Sequence, residues 1–563
     1  MKKLRWQILV VILAVIAIGI LLLGQQPTIL PGVDPVIEPT SGGVYTEALI
    51  GQLGRLNPLL DYYNPVDQDV DRLLYSRLIR FDERGIPRGD LADSWGISQD
   101  GTVYNISIRP EAVWHDGEPV TSEDILFTVD LLRQEGMPVP TDLQAFWDQV
   151  ELTILDEKTL QLRLPEPFTP FLDYLTFGVV PRHLLQGLST EEIIDADFNL
   201  DPVGSGPYRF ERLVVEEGDI AGVVLSVFDD YYADVPYITE VVFRYYPDSS
   251  AALKAYQDED VLGVSQIDAQ ILAEALQEQD LNMFSGRTPR LSIVYMNLGD
   301  PSLPFFQDSE VRRALLTGIN RQKTIDRLLN GQAIIAHGPI LPDTWAYYDG
   351  IEKIDYDPEK AVEMLKSAGY TIPAQGGSVR AKEGVALAFE LLHPDVEPFV
   401  SVARLIQEDW ERIGVKAVLK GVTQEELMTE YLVPRSYDAA LVDLNLSPYP
   451  DPDPYPFWHQ AQSTIGQNYS LWDDRKASEY LEQARIEIDL QERSRRYNNF
   501  QVRFTTEMPA LPIFHPIYSY GIDAQVQGVS MGPVFSMPDR FNNISLWFLL
   551  ARQSLEASNT LTP

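Results

Sequence analysis

The chain has 563 residues, 45% hydrophobic and 23% charged, a balance suited to two or three packed lobes and not to a disordered or fibrous polymer. Lysine and arginine number 44 against 83 acids, a net charge of −39, which argues against nucleic acid and anionic membrane surfaces as partners. Cysteine is absent, so disulfides, thiol catalysis and cysteine-ligated metals are excluded.

Lys2, Lys3 and Arg5 precede a run from Ile8 to Leu23 that has no polar side chain. The run is long for a secretory signal core and short of the roughly 20 residues of a spanning helix. No small-x-small cleavage pattern precedes Gln25. Residues 1–24 are therefore read as an uncleaved transmembrane helix with its basic end in the cytoplasm, a cleaved signal being the alternative. Either way the remainder is exported. Residues 25–43 are proline-rich and read as a linker, and residues 551–563 as a polar tail.

The folded part opens at GGVYTEAL and the turn LNPLLD (Leu56–Asp61). Asp67, Asp69 and Asp71 lack the glycine and terminal glutamate of a calcium loop and read as a solvated face or a helix start. The stretch Leu91–Arg133 follows. Ser98–Gly101 is a turn, and Tyr104, Ile106 and Ile108 alternate with polar residues as in a half-buried strand. His115-Asp116-Gly117 turns again. Thr121 and Asp124 form a capping box for a helix with Ile125, Val129 and Leu132 on one face.

Further on, DPVGSGPYRF (Asp201–Phe210) predicts a tight glycine turn entering a strand. In Tyr295–Ile325, Val311, Ala314, Leu315, Gly318 and Ile319 recur at helical spacing. In Tyr356–Tyr370, Asp357 caps, Pro358 opens and Gly369 ends a helix. A helix ending at Gly414 precedes the strand Val415–Lys420. Asp474–Phe504 is mostly helical, with Ala477, Leu481, Ala484 and Ile488 inward, and leads to the strand Met508–Pro516. Strands alternating with helices predict α/β lobes.

These segments, in this order, resemble the extracellular solute-binding proteins of ABC importers, family 5, the peptide- and nickel-binding family. LADSWGISQDGTVYNISIRPEAVWHDGEPVTSEDILF (Leu91–Phe127) carries most of the resemblance. The resemblance implies an α/β two-lobe clamp of the type II periplasmic-binding-protein kind, with an extra inserted subdomain (cluster C). It implies a first lobe over 44–290 with the insert at about 76–200, a second lobe over 291–504, and a return to the first lobe over 505–550. Hinge crossings are expected near Arg290 and Phe504. The missing cysteine removes the lipid anchor common in such proteins, which the N-terminal helix would replace. The implied partners are a peptide or other small solute and an ABC permease with its ATPase. The implied location is the cell envelope, outside the cytoplasmic membrane.

The candidate ligand loop is Leu444–Ser463, where five prolines within Pro448–Pro456 rule out regular structure. It resembles the family's cleft-facing loop. Asp451 and Asp453 offer carboxylates, and Tyr449, Tyr455 and Trp458 offer flat faces. Pro448, Tyr449 and Pro450 stand where relatives carry the acid that holds a peptide amine, which puts that form of capture in doubt. Ser265, Tyr295, Asn297 and Tyr518 complete the candidate lining. No cofactor is expected. None of the six histidines forms HxH or HExxH, so no metal site is expected, and GxSxG, a P-loop and GxGxxG are absent. The alternatives are the same clamp on an oligosaccharide, nickel chelate, haem or opine, a sensor without transport, and, remotely, a glycoside hydrolase using Asp451 and Asp453.

Overall fold

Strand pairing in this chain is organised around one long strand, Ala510–Asp523, that changes partner along its length. A computed structural model describes residues 39–446 and 449–550. The regions read as a membrane helix (1–24) and as a tail (551–563), and most of the linker, lie outside the described residues. Among the described residues no helix is long and apolar enough to cross a membrane.

β1 (Val44–Ile50) pairs in parallel with β10 (Glu240–Tyr246) and β11 (Gly263–Val264). β8 (Tyr208–Glu216) and β9 (Asp219–Val227) extend the sheet beyond β10. β12 (Leu281–Arg287) leads through Thr288–Pro289 into β13 (Arg290–Met296). β20 (Ala510–Asp523) pairs with β13 through Ala510–Phe514 and with β12 through Ile517–Asp523. At the change of partner the Thr288 hydroxyl donates to the Pro516 carbonyl at 3.0 Å. Thr288 and Pro516 therefore lie side by side where β20 changes partner.

On its other side β13 pairs with β19 (Ala439–Asn445), followed by β17 (Ala388–Pro394) and β18 (Lys416–Val422). Val294 and Met296 enter one core, and Ile293 and Tyr295 enter another. A strand buried on both faces reads as a continuous apolar run, which explains LSIVYM. The helices Ser309–Thr317, Pro358–Ser367 and Phe399–Arg412 bury their apolar stripes against the first of these cores. Asp357 accepts from the Lys360 N–H at 2.8 Å, and Gly369 turns at φ +93°. The expected helix through Asp474–Phe504 is two, Arg475–Ile486 and Leu490–Glu507. Ile488 lies in the break between them and is exposed, not inward.

Residues 92–163 hold a separate antiparallel sheet in the order β4 (Ala92–Ile97), β5 (Val103–Ile108), β7 (Thr159–Arg163), β6 (Glu151–Asp156). The helix Ser122–Arg133 begins where the Thr121 N–H donates to Asp124 at 2.8 Å. The two sequence markers around His115 and Gly204 interlock. His115 donates its backbone N–H to the Gly204 carbonyl at 2.8 Å, and its Nδ1 accepts from the Gly204 N–H at 3.1 Å. A Cβ on Gly204 would lie 1.9 Å from the Leu74 carbonyl oxygen, and one on Gly206 2.4 Å from that of Leu73. Close backbone approach, not an unusual φ, requires these glycines.

The three aspartates before Leu73 are buried, not solvated as their composition suggests. They lie on the helix Pro65–Leu74. Asp67 accepts the Gly54 and Arg55 N–H groups at 2.8 and 2.9 Å. Asp69 accepts from Arg540 at 2.6 Å, a guanidinium that also reaches Glu47 at 2.7 Å. Burial, with Asp61 and Asp67 nearby, pushes the Asp71 carboxyl well above the usual range.

Candidate functional site

A cavity of about 880 Å³ opens among segments distant in the chain. Five separated segments build it. The turn and helix around Asp61, Tyr62, Gln68 and Arg72 form one wall. The hairpin of β2 (Ile79–Phe81) and β3 (Pro87–Gly89), with Arg77 before it, forms the next. The insert supplies an apolar wall of Leu132, Val139, Leu143, Trp147 and Phe177, and the return segment adds Ser530–Asn543. The second lobe contributes Tyr449 and Pro450.

The polar wall is mostly paired. Arg72 donates to Asp539 at 2.6 Å, and to Ser536 and Asn542 at 3.2 and 3.1 Å. Arg88 holds Asp82 through two hydrogen bonds of 3.1 and 2.8 Å. Glu83 accepts from the Ser530 hydroxyl at 2.9 Å. Burial pushes the Asp61 carboxyl up to about 8, against the pull of Arg77 and with the push of Asp67. The Arg77 guanidinium makes no hydrogen bond or ion pair among the described residues. Burial lowers its pKa to about 10, and the like charge of Arg72 adds to the effect.

Of the nine residues singled out in the sequence, Tyr449 alone lines this cavity, its ring 5.5 Å from that of Tyr174. The remaining eight are occupied elsewhere. Asp453 is held by Arg485 through bonds of 2.8 and 2.6 Å. Arg485 also lies 3.9 Å from the Tyr455 ring centre. Asp451 pairs with Arg493 and accepts from the Tyr497 hydroxyl at 3.1 Å. Burial opposes the charge on Arg493, but the adjoining Asp451 carboxylate holds its pKa above the ordinary value. Trp458 is 1% exposed and packs edge-on against Phe504 at 4.8 Å. Tyr295 lies in the same core. The Asn297 amide donates to the Arg435 and Tyr437 carbonyls, and the Tyr518 hydroxyl donates to the Ser265 carbonyl. Pro448 lies outside the described residues. Among the described residues no group of three or more His, Cys, Asp or Glu side chains could hold a metal ion.

A model of the bacterial extracellular solute-binding proteins, family 5 (middle region), matches residues 87–468. The chain belongs to this family. The oligopeptide-binding protein AppA of Bacillus subtilis (strain 168) is 24% identical over 522 residues, 91% of this chain and 92% of that relative. The dipeptide-binding protein of Escherichia coli (strain K12) is 26% identical over 509 residues, 84% of this chain and 89% of that one. Among solved structures, HbpA2 from Haemophilus parasuis superposes with a TM-score of 0.78 at 20% identity, covering 90% of this chain and 100% of its own, a likeness of fold. The solute-binding assignment directs attention to the cavity, and most of its wall went unmarked in the sequence. Arg77 stands in SRLIRF, where it reads as an ordinary strand-edge cation. Leu132 carried a signal on the apolar face of the helix Ser122–Arg133, which its period assigns to core, whereas Val139 lies outside a helix and Trp147 ends the next one, Thr141–Trp147.

Proposed function

We propose that this protein is the capture subunit of an ABC importer. It takes peptides or solutes of similar size into the cavity outside the cytoplasmic membrane and delivers them unaltered to the permease and its ATPase. The single observation that carries this reading is that Tyr449 and Pro450 of the second lobe close over a cavity walled by the first lobe and the insert. A solute there touches both lobes, and a ligand shifts a clamp only through its differential affinity for the closed state. The volume and the mix of an apolar wall with few convergent polar groups suit a small-molecule or peptide ligand. The names of the Bacillus and Escherichia relatives favour peptides.

The bodies that move are taken as 44–290 with the insert at about 76–200, 291–504, and the returning 505–550. Residues 1–24 serve as the membrane tether and 25–43 as the spacer. No bond is made or broken in this reading, in keeping with a family of solute-binding proteins, and the two carboxylates of the Pro-rich loop are held by arginines. Mass spectrometry of what co-purifies with the full-length chain tests the reading. A mixture of peptides supports it; a single sugar or a metal chelate overturns it.

A further inference from the structure

We propose that the cavity selects solutes that present a carboxylate beside an apolar body, with Arg77 as the group that binds the carboxylate. The inference rests on the capture reading above and names the chemistry its ligand must carry.

The charge balance is the first observation. The chain carries −39 overall, yet among the described residues three arginines of this cavity, Arg77, Arg80 and Arg84, have a guanidinium without a hydrogen bond or ion pair, and Arg77 is the one of the three that is half-buried, Arg80 and Arg84 being exposed. Acids near Arg77 are engaged with other groups. Asp539 holds Arg72 at 2.6 Å, and Asp90 accepts the Tyr232 hydroxyl at 2.6 Å and the Arg77 backbone N–H at 2.9 Å. Asp61 also faces Arg77, but burial pushes its carboxyl up to about 8, so at neutral pH it leaves the arginine charge uncancelled. An unpaired guanidinium is costly to withdraw from water, and a bound anion is the group that removes this cost.

The second observation is rigidity. The Arg77 backbone is fixed on both sides, by its N–H to Asp90, by its carbonyl accepting from the Leu91 N–H at 2.8 Å, and by an antiparallel bridge to Gly178. A planar guanidinium on a fixed base matches a carboxylate through two parallel hydrogen bonds. The third observation is the facing apolar wall of Leu132, Val139 and Trp147, which suits a hydrophobic side chain next to that carboxylate.

The test is titration calorimetry of the full chain with four probes. They are the peptide Ala-Leu-Phe-Ala with a free C-terminus, its C-terminal amide, and amidated Ala-Glu-Phe-Ala and Ala-Gln-Phe-Ala. A free-acid preference over the amide of about tenfold or more, lost in Arg77→Ala and in the length-preserving Arg77→Met, assigns the carboxylate to the peptide terminus. The same preference of Glu over Gln assigns it to a side chain. Equal binding of acid and amide, or a preference that survives both variants, overturns the inference and leaves the capture reading standing. If no peptide binds, 3-phenylpropionate is compared with its amide by ligand-observed NMR. An acid preference that depends on Arg77 then keeps the inference while peptide capture fails, and no preference overturns both.

Discussion

Asp451, in the Pro-rich loop of the second lobe, donates its backbone N–H to the carboxylate of Asp173 in the inserted subdomain at 3.3 Å. Both residues are buried. Burial pushes the Asp173 carboxyl well above the usual range, and the neighbouring Asp451 carboxylate adds to the push against the opposing charge of Arg493. A folded-state pKa above the unfolded value of about 3.9 means that the folded chain binds more protons than the unfolded one. The stabilisation is present below that value and is lost as pH rises through the folded-state pKa. Asp173→Asn keeps an oxygen to accept from Asp451 and removes the titration. Scanning calorimetry is expected to show this variant gaining more melting temperature at pH 8 than at pH 5. An equal shift at the two pH values would contradict this assignment.

Arg493 is the cation that makes the buried Asp451 tolerable, with the side chains 5% and 6% exposed. Removing one member of a buried ion pair leaves the other charge unpaired, at a cost of about 3–5 kcal/mol. Arg493→Ala is expected to lose stability of that order in urea unfolding. Arg485→Ala, which breaks the more exposed pair with Asp453, is expected to lose less. The reverse order would show that the loop is not held as described.

Trp458 offers a separate check on what the loop does. Its ring is packed among Tyr295, Trp472 and Phe504 and does not line the cavity. Trp458→Ala is expected to cost about 3–5 kcal/mol through the space it leaves. The affinity of the folded protein for its solute should hardly change. A variant of unchanged stability and weakened binding would place this side chain in the site.

Asp61 gives the binding reaction its own pH dependence. Its carboxyl, raised to about 8, is neutral below that pH and becomes an anion beside Arg77 above it. Affinity for a carboxylate-bearing solute is therefore expected to be level from pH 6 to 7.5 and to fall as pH passes about 8. Asp61→Asn should flatten the curve. A fall that persists in the variant would assign the titration to another group.

Much of the fold was legible in the chain. Asp357, Pro358 and Gly369 bracket a helix because caps, an N-terminal proline and a positive-φ glycine act locally. The doubly buried β13, whose apolar residues are interrupted by Ser292, was not marked as such in the sequence. The site was harder to read because its wall is assembled from segments around Asp61, Arg77, Trp147, Tyr449 and Asn542 that meet only after folding. The Pro-rich loop drew attention through two carboxylates whose partners stand far along the chain, Arg485 lying 32 residues after Asp453. The buried Asp69 likewise depends on Arg540, a residue 471 positions away, and no local pattern announces that pairing.

Hydrogen–deuterium exchange on the full chain, with and without a peptide mixture, tests the central claim most directly. Captured peptide should slow exchange both in the Arg77–Gly89 hairpin and in the Tyr449–Asp453 loop, and the peptides should be recovered with unchanged masses. Protection confined to other segments, or peptides recovered cleaved, would contradict the account.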